Sequence, residues 1–254
     1  MRARCGMQIG KPGEPITRLS QAYPDRVEVR GRDLAGDLMG RLTFTEYFHL
    51  LLTGREPTEE ELFFLDLLLV AIAEHGMMPT NVAARMTLAA DPESLQGAVA
   101  AGILGTGPVV LGTSEECARL LEANLGREPL EIAREIHDAG GKIPGFGHPV
   151  HTPVDPRAER IFELADEHGV SGAHSELARE LRDAVSEVWG RPLTMNLSMP
   201  IAAVTLDLGF PSSMAKAIPL LARTAGLLAH LVEEQELPAG FTMAAAAEAA
   251  VEYE

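Results

Sequence analysis

Residues 143–158 read IPGFGHPVHTPVDPRA, and this segment carries the most informative pattern in the chain. A Pro-Gly-aromatic-Gly turn presents His148 at its end. Gly145 and Gly147 allow the backbone to approach a ligand closely or to adopt a positive φ, which a side chain would hinder. The turn therefore predicts a histidine held on a glycine loop, where its imidazole can meet a ligand.

Arg157 follows nine residues after the histidine, behind an Asp-Pro break. Pro156 favours an extended conformation at Asp155 and suits the first turn of a helix, so we expect Arg157 at a helix start. There the guanidinium and the helix N-terminus can bind an anion together. The segment therefore predicts a carboxylate-binding site. From residue chemistry alone, a surface turn with a solvated histidine and arginine is an equal alternative.

Composition limits the classes of function. The 254 residues suffice for one large domain or two smaller ones, and the hydrophobic content of 46% and charged content of 23% are ordinary for a globular protein. The formal net charge of −16 disfavours nucleic acid and anionic membranes as partners. Cys5 and Cys117 support neither a disulfide framework nor a zinc quartet, and no metal site is predicted.

The chain shows no pattern expected of a membrane span or a leader. The most apolar run, residues 62–73, is too short to cross a bilayer and contains Asp66. Arg2 and Arg4 are not followed by the apolar core of a signal peptide. A cytoplasmic protein is expected.

Helical signals run through nearly the whole sequence. Thr43 with Glu46, and Thr58 with Glu61, have the spacing of capping boxes. The predicted helices are 43–53, 58–75, 79–90, 92–104, 114–125, 129–139, 156–168, 172–189, 200–208, 212–236 and 242–253. Glycines that suit left-handed caps fall near the ends of several of them, namely Gly54, Gly76, Gly126, Gly140, Gly169, Gly190 and Gly209. The one strand candidate, Val27–Val29, suggests a short N-terminal ribbon. Because the rest of the pattern is helical, an all-α fold is predicted.

Three polar residues lie within or at the ends of apolar helices. His75 ends a long helix, where it can be a C-terminal cation or a ligand contact. Arg223 and His230 lie seven residues apart, on nearly one helix face. For His230 a satisfied core position is favoured. For Arg223 a functional role is favoured, because no acid lies three or four residues away to pair with it.

Together these segments resemble the citrate synthase family, in order and over almost the whole chain. Residues 143–158 closely match the family's most specific signature. The other matching segments are LTFTEYFHLLLTGREP at 42–57, His75-Gly76 with 81–86, Gly107-Pro108, NLSMPIAAVTLDLGFPSSM at 196–214, and ARTAGLLAH at 222–230. The length and the series of motifs look most like the short citryl-CoA lyase-type members.

The resemblance implies an all-α homodimer. Each subunit would have a large helical domain (1–125 plus 225–254) and a small one (126–224), with the active site in the cleft between them. Members make or break a carbon–carbon bond between the α-carbon of an acyl-CoA and the carbonyl of a keto acid. The implied ligand is a small acidic metabolite. No tightly bound cofactor is implied, and a coenzyme A thioester is a possible substrate.

The resemblance also assigns residues. His75, His148, Arg157 and Arg223 match positions that bind the carboxylates and hydroxyl of citrate, and Asn196 is expected to join them in binding substrate. His148 matches the group that exchanges a proton with the hydroxyl or carbonyl oxygen, which suits imidazole. The residues expected to contact coenzyme A through their backbone are Ile143, Pro144, Gly145, Phe146 and Gly147.

Two positions depart from the family pattern. Val110 stands where the family has the histidine that stabilises the thioester enolate, and Ser198 stands where it has the aspartate that moves the α-proton. Valine cannot donate a hydrogen bond, and serine is far too weak a base to abstract that proton unaided. Ordinary citrate synthase activity is therefore not expected.

Two interpretations remain from the sequence. In the first, the protein is a divergent carbon–carbon lyase that acts on a hydroxy-polycarboxylic acid or its coenzyme A thioester, with His148 as the acid–base group and Ser198 as a candidate proton donor; a family enzyme with different chemistry is a variant of this interpretation. In the second, the fold keeps an anion-binding pocket but not the catalysis, which would make it a binding or regulatory protein. The first is favoured, because the histidine and arginine positions are retained.

Overall fold

A computed structural model describes residues 16–148 and 150–253 of the chain. The chain forms two compact units, Met1–Leu62 and Phe63–Glu254. The large and small domains predicted from the resemblance, with boundaries at 125/126 and 224/225, remain a prediction.

In its described residues, the first unit contains a small antiparallel sheet and one complete α-helix. Its strands lie in the order β1-β2-β3, with β2 pairing Ala22 to Val27 on one side and Val29 to Arg32 on the other. The predicted ribbon around Val27–Val29 is thus the central strand of the sheet. The elements are β1 (Ser20–Ala22), β2 (Val27–Val29), β3 (Arg32–Asp33), a π-helical turn (Leu34–Leu38) and α1 (Phe44–Thr53). Their core is formed by Val29, Leu38 and Leu50.

Helices account for nearly all of the second unit's described secondary structure. Across the described residues, each predicted helix is found, with ends that differ from the prediction by at most three residues. They are α2 (Glu59–Ala73, which begins in the first unit), α3 (Pro79–Ala90), α4 (Leu95–Leu104), α5 (Thr113–Asn124), α6 (Pro129–Asp138), α7 (Pro156–Glu167), α8 (Ala173–Val188), α9 (Ser198–Asp207), α10 (Met214–Glu236) and α11 (Gly240–Ala250). The seven glycines predicted as caps have φ values between 65° and 82°. The predicted, mostly helical fold is confirmed.

Helix α9 forms the centre of the second unit. All residues from Met199 to Leu206 are buried, and α5, α7, α8 and α10 pack against this helix. Burial on every side explains why this segment is apolar except for Thr205 and has no polar face. The next helix, α10, is long and apolar enough to cross a membrane by length and composition, a test that buried core helices also pass.

Two helix ends place candidate site residues. Helix α2 ends at Ala73, two residues before the predicted end, so His75 lies in the following loop. The Glu74 carboxylate shapes that loop by accepting backbone N–H groups from His75 (2.9 Å) and Gly76 (2.6 Å). Helix α7 begins at Pro156 with Asp155 as its N-cap, which places Arg157 in the first turn as predicted.

Candidate active site

One cavity in the second unit is lined by His75, His148, Arg157 and Arg223, which are far apart in the sequence. It has a volume of about 140 Å³. Its walls come from the loop after α2, the turn before α5, the histidine loop, and the starts or middles of α7, α9 and α10. The lining residues are Ile72, His75, Met78, Val109, Val110, Leu111, Thr113, Gly147, His148, Arg157, Asn196, Leu197, Ser198 and Arg223.

His148 is held in one tautomer by the turn that follows it. Its Nδ1 accepts the backbone N–H groups of Val150 (3.0 Å) and His151 (2.8 Å). A neutral imidazole has one donor and one acceptor nitrogen, so the proton lies on Nε2. Burial, then the nearby charge of His151, lowers the pKa of His148 and favours the neutral ring. His148 can therefore donate a hydrogen bond from Nε2 at neutral pH.

His75 lies beside this ring and contacts a third histidine. Its centroid is 5.2 Å from that of His148, in an edge-to-face arrangement. Its Nε2 lies 3.2 Å from Nε2 of His151, and its Nδ1 lies 3.4 Å from Sδ of Met78. Burial, followed by the charge of Arg157, lowers the pKa of His75. Two neutral imidazoles therefore line the cavity.

Arg157 is paired with the acid that caps its own helix. Nε donates to Oδ1 of Asp155 (3.1 Å) and Nη2 donates to Oδ2 (2.9 Å), while the backbone N–H of Arg157 donates to Oδ1 (3.1 Å). Burial alone raises the pKa of Asp155, but the hydrogen bonds and charge of Arg157 outweigh it and lower the pKa. The sequence predicted an anion at this helix start, and the structure places the chain's own carboxylate there. The pairing fixes the plane of the guanidinium at the cavity wall.

Arg223 is a buried charge with incomplete pairing. It is only 2% exposed, and burial lowers its pKa. Nη1 donates to Oδ1 of Asn81 (3.0 Å) and Nη2 to the carbonyl of Ile72 (3.3 Å), while Glu74 lies 3.9 Å away. Its Nε has no hydrogen-bond partner among the described residues. A buried guanidinium with a spare donor favours an anionic ligand.

His230 contacts both Glu74 and Asn81, the side chains near Arg223, and Arg85 in turn contacts His230. The Nδ1 of His230 accepts from Nε of Arg85 (2.9 Å), and its Nε2 lies 3.0 Å from Glu74. Arg85 also donates to Glu234 (2.8 Å) and Glu233. His230 does not line the cavity, and both of its nitrogens have partners within the protein, as expected of a core histidine.

Asn196 ties the start of α9 to the histidine loop. Its Nδ2 donates to the carbonyl of Gly147 (3.0 Å), its Oδ1 accepts from the backbone of Ser198 (3.0 Å), and its N–H donates to Gly145 (2.8 Å). Although Asn196 lines the cavity, its amide is engaged at both ends, which favours positioning of the loop over direct contact with a ligand.

The two substituted positions face the same cavity. Val110 lies in the turn before α5, and Ser198 is the first residue of α9. The Val110 side chain presents only carbon atoms to a ligand, and Ser198 offers a hydroxyl. Among the residues that line this cavity, none carries a carboxylate side chain.

The five residues predicted to contact coenzyme A do not all lie at the cavity. Gly147 alone among them lines the cavity. The side chain of Ile143 is buried against α6 and α8, and Phe146 packs against the same cluster. Their side chains thus anchor the loop in the core, and their role towards coenzyme A remains a prediction.

Four residues around the cavity were not predicted from the sequence as site residues: Glu74, Asn81, His151 and Asp155. Of these, His151 carried a signal, because it is the second histidine of the same loop. Asp155 was noted only for its backbone. Glu74 and Asn81 act through Arg223, which is far away in sequence, so no local pattern indicated the contact.

Comparisons with known proteins agree with this architecture. A family model for the citrate synthase C-terminal domain matches residues 19–239. The chain is 32% identical over 203 residues to citrate synthase of Synechocystis sp., covering 76% of this chain and 50% of that protein. The structure of citryl-CoA lyase from Hydrogenobacter thermophilus superposes with a TM-score of 0.80 at 30% identity, covering 87% of each chain.

A more distant structure shares the fold. ATP citrate lyase from Methanothrix soehngenii, in complex with citrate and coenzyme A, superposes with a TM-score of 0.77 at 20% identity, covering 90% of this chain and 40% of that one. The chain spans about half the length of the curated relatives it matches. On the extent of the family match, the chain belongs to the citrate synthase family.

Proposed function

We propose that the protein is a carbon–carbon lyase that cleaves a hydroxy-polycarboxylic acid, presented as its coenzyme A thioester, into an acyl-CoA and a keto acid. The observation that carries this proposal is the arrangement of His75, His148, Arg157 and Arg223 around one cavity. The similarity to a citryl-CoA lyase over 87% of both chains supports it.

The two arginines would bind the carboxylates of the substrate. Arginine suits this role because its planar fork matches a carboxylate and stays charged. Arg157 is already oriented by Asp155, so little freedom would be lost on binding. Arg223 has its Nε unpaired in a buried position, and a substrate carboxylate would satisfy it.

The histidines would act on the oxygen that is a hydroxyl before cleavage and a carbonyl after it. In cleavage the neutral ring of His75, which lines the same cavity, accepts the hydroxyl proton, the carbon–carbon bond breaks, and its electron pair becomes the enolate of the acyl-CoA. A proton then adds to the α-carbon. His148 donates from Nε2 to the oxygen and stabilises the charge that develops there, as a positioned donor does in a water-excluded site.

Val110 and Ser198 leave the cavity without a base for the α-carbon. Condensation begins by removing a proton from the α-carbon of a thioester, which needs a positioned base. Cleavage produces the enolate by breaking the carbon–carbon bond, and this strongly basic species can take its proton from water or from Ser198. The substitutions slow proton transfer at the α-carbon in both directions, so the assay starts from the thioester of the hydroxy acid, whose cleavage forms the enolate before that transfer.

The direct test supplies citryl-CoA and, in a second arm, citramalyl-CoA to the purified protein. Release of the keto acid is followed by its enzymatic reduction with NADH. We expect turnover with at least one of them and a loss of at least about 100-fold in His148→Gln. Absence of keto acid from both thioesters would overturn the proposal as stated.

A binding or regulatory protein is the second candidate, and Val110 with Ser198 is the observation that favours it. The two candidates differ in isotope exchange. An enzyme that protonates the enolate in the presence of keto acid should wash solvent deuterium into the α-carbon of its acyl-CoA product. A binder should leave the acyl-CoA unlabelled while still being stabilised by the ligand against heat.

The homodimer and the use of coenzyme A belong to the same proposal. Residues 143–147 would meet the thioester through their backbone, as the family resemblance implies. The two-fold dimer would form through apolar helix faces in the ranges 62–73 and 79–104, where large apolar side chains such as Val70 and Leu104 are exposed.

A further inference from the structure

Three histidine rings meet at the edge of the cavity. Centroid distances are 5.2 Å between His75 and His148, 5.3 Å between His75 and His151, and 4.5 Å between His148 and His151. One nitrogen from each ring lies within 4.8 Å of the other two. Each residue is partly buried. Three imidazoles this close can share a cation.

The spacing of the nitrogens suits a metal ion. Zinc binds histidine nitrogens at 2.0–2.1 Å, so two ligands of a tetrahedral ion lie about 3.3 Å apart. Nε2 of His75 and Nε2 of His151 are 3.2 Å apart. We propose that His75, His148 and His151 form a binding site for one divalent transition-metal ion of the zinc class, which imidazole ligands favour.

The surrounding charges permit a cation. Arg157 and Arg223 are near, but Asp155 and Glu74 offset them. The Asp155 carboxylate holds two donors of Arg157 and is 1% exposed, while Glu74 lies 3.9 Å from Arg223. The formal charges of the two arginines and the two acids sum to zero. These four groups therefore give the site no net positive charge that would oppose a metal ion.

His148 must rearrange to serve as the third ligand. Its Nδ1 accepts two backbone N–H groups, and its Nε2 therefore carries the ring proton. Coordination through Nε2 moves that proton to Nδ1 and opens both hydrogen bonds, which requires the turn at Val150 and His151 to shift. The pair His75 and His151 already has the spacing of two ligands, so these two rings dominate the binding of the metal.

The fourth position of the ion would face the cavity, because His75 and His148 both line it. Three protein ligands with one open position are typical of zinc sites that bind a substrate oxygen. A hydroxyl or carboxylate oxygen of an acidic ligand can fill that position. This site goes beyond the proposed lyase activity, and metal binding does not depend on that activity: a bound ion would occupy Nε2 of His148, so the lyase would act in the metal-free state.

The test measures metal binding by protein that carries no affinity tag and has been stripped of metal. Calorimetric titration with Zn²⁺ should give one ion per chain. Co²⁺ should give the visible absorption of a tetrahedral nitrogen site. His151→Gln should weaken Zn²⁺ binding by at least about 100-fold. Loss of a residue that only hydrogen-bonds to a metal ligand already weakens metal binding by about 10- to 100-fold. His137→Gln, at a half-exposed histidine beside Asp138, should leave it unchanged.

Two results would overturn the metal site: no Zn²⁺ bound at 1:1 by the unmodified protein, or equal affinity in His151→Gln and the unmodified protein. The second would show that histidines elsewhere bind the ion. Neither result bears on citryl-CoA cleavage, which is assayed without added metal. Failure of the lyase assay with intact Zn²⁺ binding would reject the activity and leave the site standing.

Discussion

Gly145 shows how closely the histidine loop is packed against the core. Its φ is +81°, and a Cβ at this position would lie 2.8 Å from Sγ of Cys117 and 2.8 Å from Cε of Met199. Both neighbours are fully buried. The loop that presents His148 therefore rests directly on α5 and α9 without room for a methyl group.

Replacing this glycine should disturb both stability and the site. We expect Gly145→Ala to destabilise the protein by roughly 2–4 kcal/mol, from backbone strain plus overpacking, and to weaken citrate binding. Gly126→Ala is the matched control, because Gly126 has the same φ of +81° with nothing within 4 Å. It should cost about 1 kcal/mol and leave binding intact. Urea unfolding and calorimetry check both; equal effects in the two variants would contradict the packing argument.

The sequence indicated His148, Arg157 and Arg223 because each is an unusual polar residue in its local setting. It did not indicate Asp155 as the partner of Arg157, or Asn81 as the partner of Arg223. The aspartate looked like a turn residue, and the asparagine is joined to its arginine only when α3 packs near α10. Two residues that meet only through tertiary packing have no fixed separation in the sequence, so no sequence pattern indicates that they are partners.

Among the helices, the start of α2 combines a cap with an ion pair. Glu61 accepts the backbone N–H of Thr58 (2.8 Å), and Thr58 Oγ1 accepts the N–H of Glu61 (3.2 Å). Arg55 donates two hydrogen bonds to the same carboxylate. The hydrogen bonds from Arg55 lower the pKa of Glu61 from 4.5 to about 2, against the opposing effect of burial.

This pairing makes stability depend on pH. Because the pKa is lower in the folded state, the stabilisation is fully present above pH 4.5 and is lost as the pH falls through about 2. Glu61→Gln should lower the free energy of unfolding by about 2 kcal/mol at pH 7, a value reduced because Arg55 is exposed to solvent. At pH 2.5 the loss should be much smaller. Glu59→Gln, in the same helical turn, is the control. Urea unfolding at both pH values measures this; an unchanged cost at pH 2.5 would contradict it.

The elements were largely predictable because their signals are local. Capping boxes at Thr43 and Thr58 and glycines after helices lie within a few residues of the ends they define. The end of α2 was predicted two residues late, because the Glu74 carboxylate bonds to the loop backbone. Strands β1 and β3 were not separately predicted, since two- and three-residue strands are too short to show alternation.

At the scale of the whole molecule, several large apolar side chains remain exposed. Val70 is 78% exposed, Leu104 is 85% exposed and Val109 is 89% exposed. Exposed apolar side chains in such numbers favour association with a partner. We propose that this partner is a second copy of the chain, as the family resemblance implies.

Light scattering tests the dimer. We expect a mass of twice 27.2 kDa at micromolar concentration. Val70→Glu with Leu104→Glu should shift the mass towards the monomer while the helical content is kept, because a charge on each face opposes burial. A steady mass of 27.2 kDa for the unmodified protein would contradict the dimer.

The family and the fold could be predicted from the order of the motifs, whereas the reaction could not. Val110 and Ser198 show which chemistry the site lacks, but a sequence does not show which groups replace it. His151 illustrates the limit, since its importance rests on the distance between its ring and that of His75. That distance depends on how the loop after α2 meets the histidine loop.

The central claim is that His75, His148, Arg157 and Arg223 act together as one site for a polycarboxylate. Calorimetric titration with citrate tests it most directly. The unmodified protein should bind one citrate per chain, and Arg157→Gln should weaken binding by about 10- to 100-fold, the value of a charge-assisted pair. Arg134→Gln removes an equal charge from an exposed arginine beside Glu187 and should have no effect. No binding by the unmodified protein, or equal affinity in Arg157→Gln, would contradict the account.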